Sequence, residues 1–87
     1  MRLDLFLKHT RIIKRRSVAK TIIDNGHVLI NDKIAKPSSD VKDNDILVLN
    51  LGPRELKIKV SIKTEENKIY LGFEQIYTSK GSTDASA

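Results

Sequence analysis

At Asn25-Gly26 the spacing of apolar residues changes from the period of a helix to that of a strand, and this break sets the class of fold. Before it, Leu3, Phe6 and Leu7 stand at i, i+3 and i+4, and Val18, Ala19, Ile22 and Ile23 again share one helical face. After it, Val28 and Ile30 alternate with His27 and Leu29, while Leu56, Ile58, Val60 and Ile62 alternate strictly with Lys57, Lys59, Ser61 and Lys63. Helices followed by strands indicate an α+β domain, two packed N-terminal helices against a small, mostly antiparallel sheet. Eighty-seven residues suffice for one such core and not for two.

The first helix is expected over Met1–Thr10, with Asp4 near its start to suit the helix dipole. Residues 11–16 then make a turn, and Ser17 is the expected N-cap of the second helix. Asn25-Gly26 ends that helix, Gly26 taking the left-handed conformation a helix stop requires. The helices are expected to pack through Phe6, Leu7, Val18, Ile22 and Ile23.

Asn31-Asp32 joins Val28–Ile30 to Lys33–Lys36 as a hairpin, Asp43-Asn44 marks a further turn, and Ile46–Leu51 is a strand closed by Gly52-Pro53. Past Thr64 two readings compete. Tyr70, Phe73 and Tyr77 share a helical face, whereas Ile69, Leu71 and Phe73 alternate; the reading leans to a short helix, with a strand as the alternative. A single domain is expected over residues 1–78, and the small polar residues 79–87 read as a disordered tail.

Charge is segregated. Residues 1–36 hold nine Lys/Arg against three Asp/Glu, a balance of +6, and residues 37–87 hold seven against eight, so the formal net charge of +5 arises in the first half. Six of these cations, Lys8, Arg11, Lys14, Arg15, Arg16 and Lys20, fall within thirteen residues without an acidic residue between them. Held by two flanking helices, they form a shaped basic surface suited to a polyanion, nucleic acid above all.

Other functions lack parts. There is no Cys, the two histidines, His9 and His27, stand apart, and no HExxH or GxGxxG pattern occurs. Asp40–Asp45 has the acidity of a calcium loop but no glycine at its sixth position and Leu51 where a bidentate Glu belongs. Neither a catalytic residue, a metal ligand nor a cofactor is expected. Apolar runs fall far short of the roughly 20 residues that span a bilayer, and Asp4 and Lys8 interrupt any signal-like core, so a cytoplasmic protein without a membrane partner is expected.

The ordered series Arg2-Leu3-Asp4-x-Phe6-Leu7, Arg11, Lys14-Arg15-Arg16-Ser17-x-Ala19, Gly26-x-Val28-x-Ile30-Asn31 and Ala35-Lys36-Pro37-Ser38 resembles the alpha-L RNA-binding motif of a small-subunit ribosomal protein family, over residues 1–50. The short chain further resembles stand-alone members of that family, the RqcP group of bacterial ribosome quality control and the ribosome-recycling heat-shock proteins. That resemblance implies binding to large ribosomal subunits obstructed by peptidyl-tRNA, with contacts to large-subunit rRNA and tRNA, in support of an RqcH-type factor that adds alanine to stalled chains. A heat-shock-type recycling factor and a targeting module for an RNA-modifying enzyme are the alternatives.

The expected RNA contacts are Lys8, Arg11, Lys14, Arg15, Arg16 and Lys20, with Arg2 at one edge and Lys36 at the other. Asn31 and Ser38 are candidate donors to phosphate or 2′-OH, and equally ordinary turn residues. Three consecutive cations at 14–16 fan out, so one of them is expected to face solvent or to pair with Asp4 or Asp24. Phe6 is the single aromatic residue before position 70, which favours recognition of RNA shape and backbone over base stacking. A monomer is expected.

Overall fold

The computed structural model describes residues 1–80. Two helices, α1 (Leu3–His9) and α2 (Arg16–Asp24), precede strands β1 (Val28–Ile30), β2 (Lys33–Ile34), β3 (Ile46–Leu51), β4 (Arg54–Glu65) and β5 (Lys68–Lys80). The strands form one antiparallel sheet in the order β2-β1-β3-β4-β5.

Leu3, Phe6 and Leu7 have no exposed surface and supply the face of α1 that packs into the core. From α2, Ala19 and Ile23 are buried one turn apart. Val18 was expected at this contact, but it lies about 100° round the helix from Ala19 and is 43% exposed. Beneath the helices, registered rows run across the sheet: Val28, Leu49 and Leu56 form one, and Ile30, Leu47 and Ile58 the next. The alternation read from the sequence therefore points its apolar residues at the helices.

α1 is shorter than the expected Met1–Thr10, with Arg2 and Thr10 as its caps, and the start of α2 also differs from expectation. α2 starts at Arg16 with Arg15 as N-cap, so Ser17 is already helical; its carbonyl accepts a hydrogen bond from Thr21 Oγ1 at 3.1 Å. The first helical bond, Ala19 N–H to Arg15 C=O, includes Arg16 in the turn and directs its side chain back over α1. At the other end the Gly26 and His27 amides donate to Ile23 and Ile22 C=O, with Gly26 at φ +80°, the paired pattern of a glycine helix stop.

The helix favoured beyond Thr64 does not form. Glu66 and Asn67, at φ +50° and +66°, make a two-residue turn, and β5 returns along β4 with Thr64 opposite Ile69, Ile62 opposite Leu71 and Val60 opposite Phe73. The strand prevails because Ile69, Leu71 and Phe73 extend the apolar face of β4, and Gly72 weakens the competing helix. Pairing continues through Ser79 and Lys80. The remainder of the expected tail, residues 81–87, lies outside the described residues. No helix among the described residues is long and apolar enough to cross a membrane.

One local arrangement positions the candidate site. The amides at the start of α1 have no side-chain cap and are satisfied by the loop after β2: Leu3 N–H donates to Ser39 C=O at 2.9 Å and Asp4 N–H to Pro37 C=O at 3.2 Å. The Met1 ammonium pairs with Asp40 Oδ1 at 2.6 Å, and Val41 N–H returns to Met1 C=O. Arg2 is thereby fixed beside Lys36 and Ser38, far away in the chain.

Candidate nucleic-acid interface

Asp4 is the single buried charged residue among the described residues, with no exposed surface. Its carboxylate accepts from Leu5 N–H at 2.8 Å, from Arg2 through Nε to Oδ1 and Nη2 to Oδ2, and from Arg16 Nε to Oδ2, the arginine contacts all at 3.2 Å. Arg2 and Arg16 stay 45% and 41% exposed at their side chains. Two like-charged guanidiniums share one oxygen, an arrangement that requires the carboxylate between them. Each keeps N–H donors facing out in a planar fork suited to phosphate.

Burial pushes the Asp4 carboxyl up, but hydrogen bonds from Arg2, Arg16 and the Leu5 amide, with the Arg16 charge, outweigh it and hold it below its ordinary value of 3.8. Arg2, expected at one edge of the RNA contacts, is pinned to Asp4, and Arg16 is the member of the 14–16 triplet that pairs with Asp4.

All the expected cations except Arg15 and Arg16 line one of two clefts. Arg2, Lys20, Lys36 and Ser38 line a cleft of about 610 Å³ between α2 and the loop after β2. Lys8, Arg11 and Lys14 line a second, of about 410 Å³, at the turn between the helices, joined by His9. Arg15 is exposed and lines neither cleft. Among the described residues Lys8, Arg11, Lys14, Arg15, Lys20 and Lys36 make no ion pair, so their charge is not neutralised within the fold. Asn31 lines neither cleft. Its amide donates to Asp45 Oδ1 at 3.1 Å and accepts from Ile46 N–H at 3.0 Å, fastening the hairpin to the start of β3.

The turn carrying the second cleft is rigidly held. Thr10 Oγ1 donates to Phe6 C=O at 2.8 Å, Ile13 N–H reaches Leu7 C=O, and the Ile13 side chain is buried. Arg11 sits at φ +63°, in the left-handed region where glycine is at ease and other residues are strained. Arg11→Gly should therefore leave stability unchanged or raise it by up to about 1 kcal/mol, while weakening RNA binding by the loss of one phosphate contact. Thermal unfolding and RNA titration of the same preparation check both halves; unchanged affinity would remove Arg11 from the interface.

The bonds from Asp4 to both arginines and the place of His9 beside the second cleft do not follow from charge spacing in the sequence. A signal was present: an aspartate flanked by Leu3, Leu5 and Phe6 in a short apolar stripe has little route to solvent and needs cationic partners. No group of three or more His, Asp or Glu among the described residues is placed to hold a metal ion.

Comparison with known proteins fits these features. The model of the S4 domain matches residues 1–47, which hold the helix pair, the basic turn and the first hairpin. The chain belongs to the S4-domain family. The chain is 41% identical over 78 residues to the RQC P-site tRNA stabilizing factor of Listeria innocua, covering 90% of the chain and 84% of the relative. It is 48% identical over 61 residues to the factor of the same name from Bacillus subtilis, covering 70% of the chain and 71% of the relative. Among solved structures, trimeric Heat Shock Protein 15 of Vibrio cholerae superposes with a TM-score of 0.68 at 31% identity, over 78% of this chain and 69% of that chain.

Proposed function

We propose that this S4 domain is a non-catalytic RNA-binding factor of ribosome quality control. It engages large ribosomal subunits obstructed by peptidyl-tRNA, contacting rRNA and the P-site tRNA together while an RqcH-type factor adds alanine to the stalled chain. The observation that carries the reading is the pair of guanidiniums held by buried Asp4, of which that of Arg2 lines a cleft with Lys20 and Lys36. A set of cations locked in position recognises the shape of a folded RNA backbone, because the phosphates of such an RNA are themselves fixed in space. Arg2, Arg16, Lys20, Lys36 and Ser38 form one contact group and Lys8, Arg11, Lys14 and Arg15 the other; Asn31 supports the fold instead. The extent of identity to the P-site tRNA stabilizing factors supports this choice of RNA.

A second reading, a recycling factor of the heat-shock type, is favoured by the superposition on Heat Shock Protein 15. Crosslinking the protein in cells and sequencing the attached RNA tests the proposal. Large-subunit rRNA and tRNA recovered together are expected, and recovery of neither contradicts both readings.

A further inference from the structure

The outer edge of the sheet is complementary to itself. β5 is the last strand in the sheet order, so its far side has no strand partner among the described residues. Across the two-residue turn at Glu66-Asn67, Glu65 and Lys68 form a hydrogen-bonded pair, and alternation along the strand then directs the N–H and C=O groups of Ile69, Leu71 and Phe73 outward.

When this edge is laid antiparallel against the same edge of a second copy, centred on Leu71, the outward groups meet in register. Leu71 then faces Leu71, Ile69 faces Phe73, Tyr70 faces Gly72 and Lys68 faces Glu74, the last three pairs each occurring twice. Apolar meets apolar on the helix side of the sheet, and an aromatic ring covers a glycine on the other side. A shift of register destroys the match. Centring on Tyr70 sets Glu66 against Glu74, and centring on Gly72 sets Lys68 against Ile76.

Other features of this edge have no explanation within one chain. Ile69 is 66% exposed, Tyr70 51% and Phe73 40%. A Cβ at Gly72 would meet nothing within 4 Å, so no contact in the chain itself requires glycine in mid-strand, where it weakens the strand. The pairing of β4 with β5 shifts register between Lys57 and Ile58, opposite Ile76, which ends the regular edge just past Glu74. Edge strands are ordinarily protected by charges that repel a second copy. Here the two charges between residues 68 and 74 are of opposite sign and fall upon each other.

We propose that β5 is a homodimer interface, in which two copies pair edge to edge through Lys68 and Glu74 and join two five-stranded sheets into one. The pairing is isologous, so it closes at two copies. It departs from the monomer expected from the sequence and does not depend on the RNA reading: the Arg2 cleft is lined by residues 34–38, beside the opposite edge strand β2, and stays open.

Sedimentation of the full chain over a concentration series tests the proposal. The wild type should pass from monomer to dimer. Lys68→Glu and Glu74→Lys should each move that transition to concentrations higher by about tenfold or more, and the double charge swap should restore it. Lys68 faces Glu65 and Glu74 faces Lys59 across the chain's own hairpin, so circular dichroism is recorded on each variant. A wild type that stays monomeric, a trimer, or a double swap that is folded yet does not regain the dimer would overturn the proposal.

Discussion

Asp4→Asn should bind RNA more weakly than the wild type although it raises the formal net charge above +5. Simple attraction between a basic protein and a polyanion predicts the reverse, because the substitution removes a negative charge from beside two arginines. The difference lies in what the carboxylate does. It accepts from both Arg2 and Arg16 and holds their guanidiniums in one orientation. Asparagine retains an acceptor for the Leu5 amide but presents a neutral amide to two cations, which then repel each other and disperse into solvent. Ordering them again on RNA should reduce affinity on the order of tenfold, about 1.4 kcal/mol. Titration of both proteins against the same RNA at one salt concentration decides the matter, and equal or tighter binding by the variant would show that Asp4 does not organise the site.

Removing both arginines should threaten the fold itself. Arg2→Ala or Arg16→Ala alone leaves Asp4 one cation and should lower stability by about 1 kcal/mol, because each guanidinium is nearly half exposed. The double variant leaves a buried carboxylate without a counter-charge, which should cost about 3 kcal/mol and lower the melting temperature by roughly 12–24 °C. The pH dependence should change sign. In the wild type the Asp4 pKa is depressed, so its stabilisation is complete above the ordinary carboxylate pKa and is lost as the pH falls through the lower folded value. In the double variant burial acts almost alone and raises that pKa, so protonation relieves the penalty and Asp4 favours the fold more as the pH falls. Thermal unfolding between about pH 3 and 6, spanning the carboxylate range, separates the two cases; parallel curves would contradict this role for Asp4.

Most of the architecture was legible because local preferences and tertiary contacts agree. Leu3, Phe6 and Leu7 at helical spacing, Gly26 at a helix stop and the alternation from Leu56 to Ile62 each admit one arrangement, and the fold adopts it. The failures have physical causes. Residues 64–78 satisfy two periods at once, and the choice rests on β4, a partner whose effect no local window contains. Val18 and Ala19 adjoin in sequence, and the packing of α1 decides which of them is buried. Among the site residues, the basic turn was evident from charge alone, but its division into two clefts was not. Arg2 and Lys36 meet because the start of α1 takes its hydrogen-bond acceptors from the 37–39 loop, a pairing of distant segments that spacing does not encode.

The central claim is that a preformed set of cations neutralises several phosphates at once, and the salt dependence of binding to purified large subunits carrying peptidyl-tRNA tests it most directly. With about five phosphates engaged, log K should fall by roughly 3–5 for each tenfold rise in salt. A slope near zero would contradict the account.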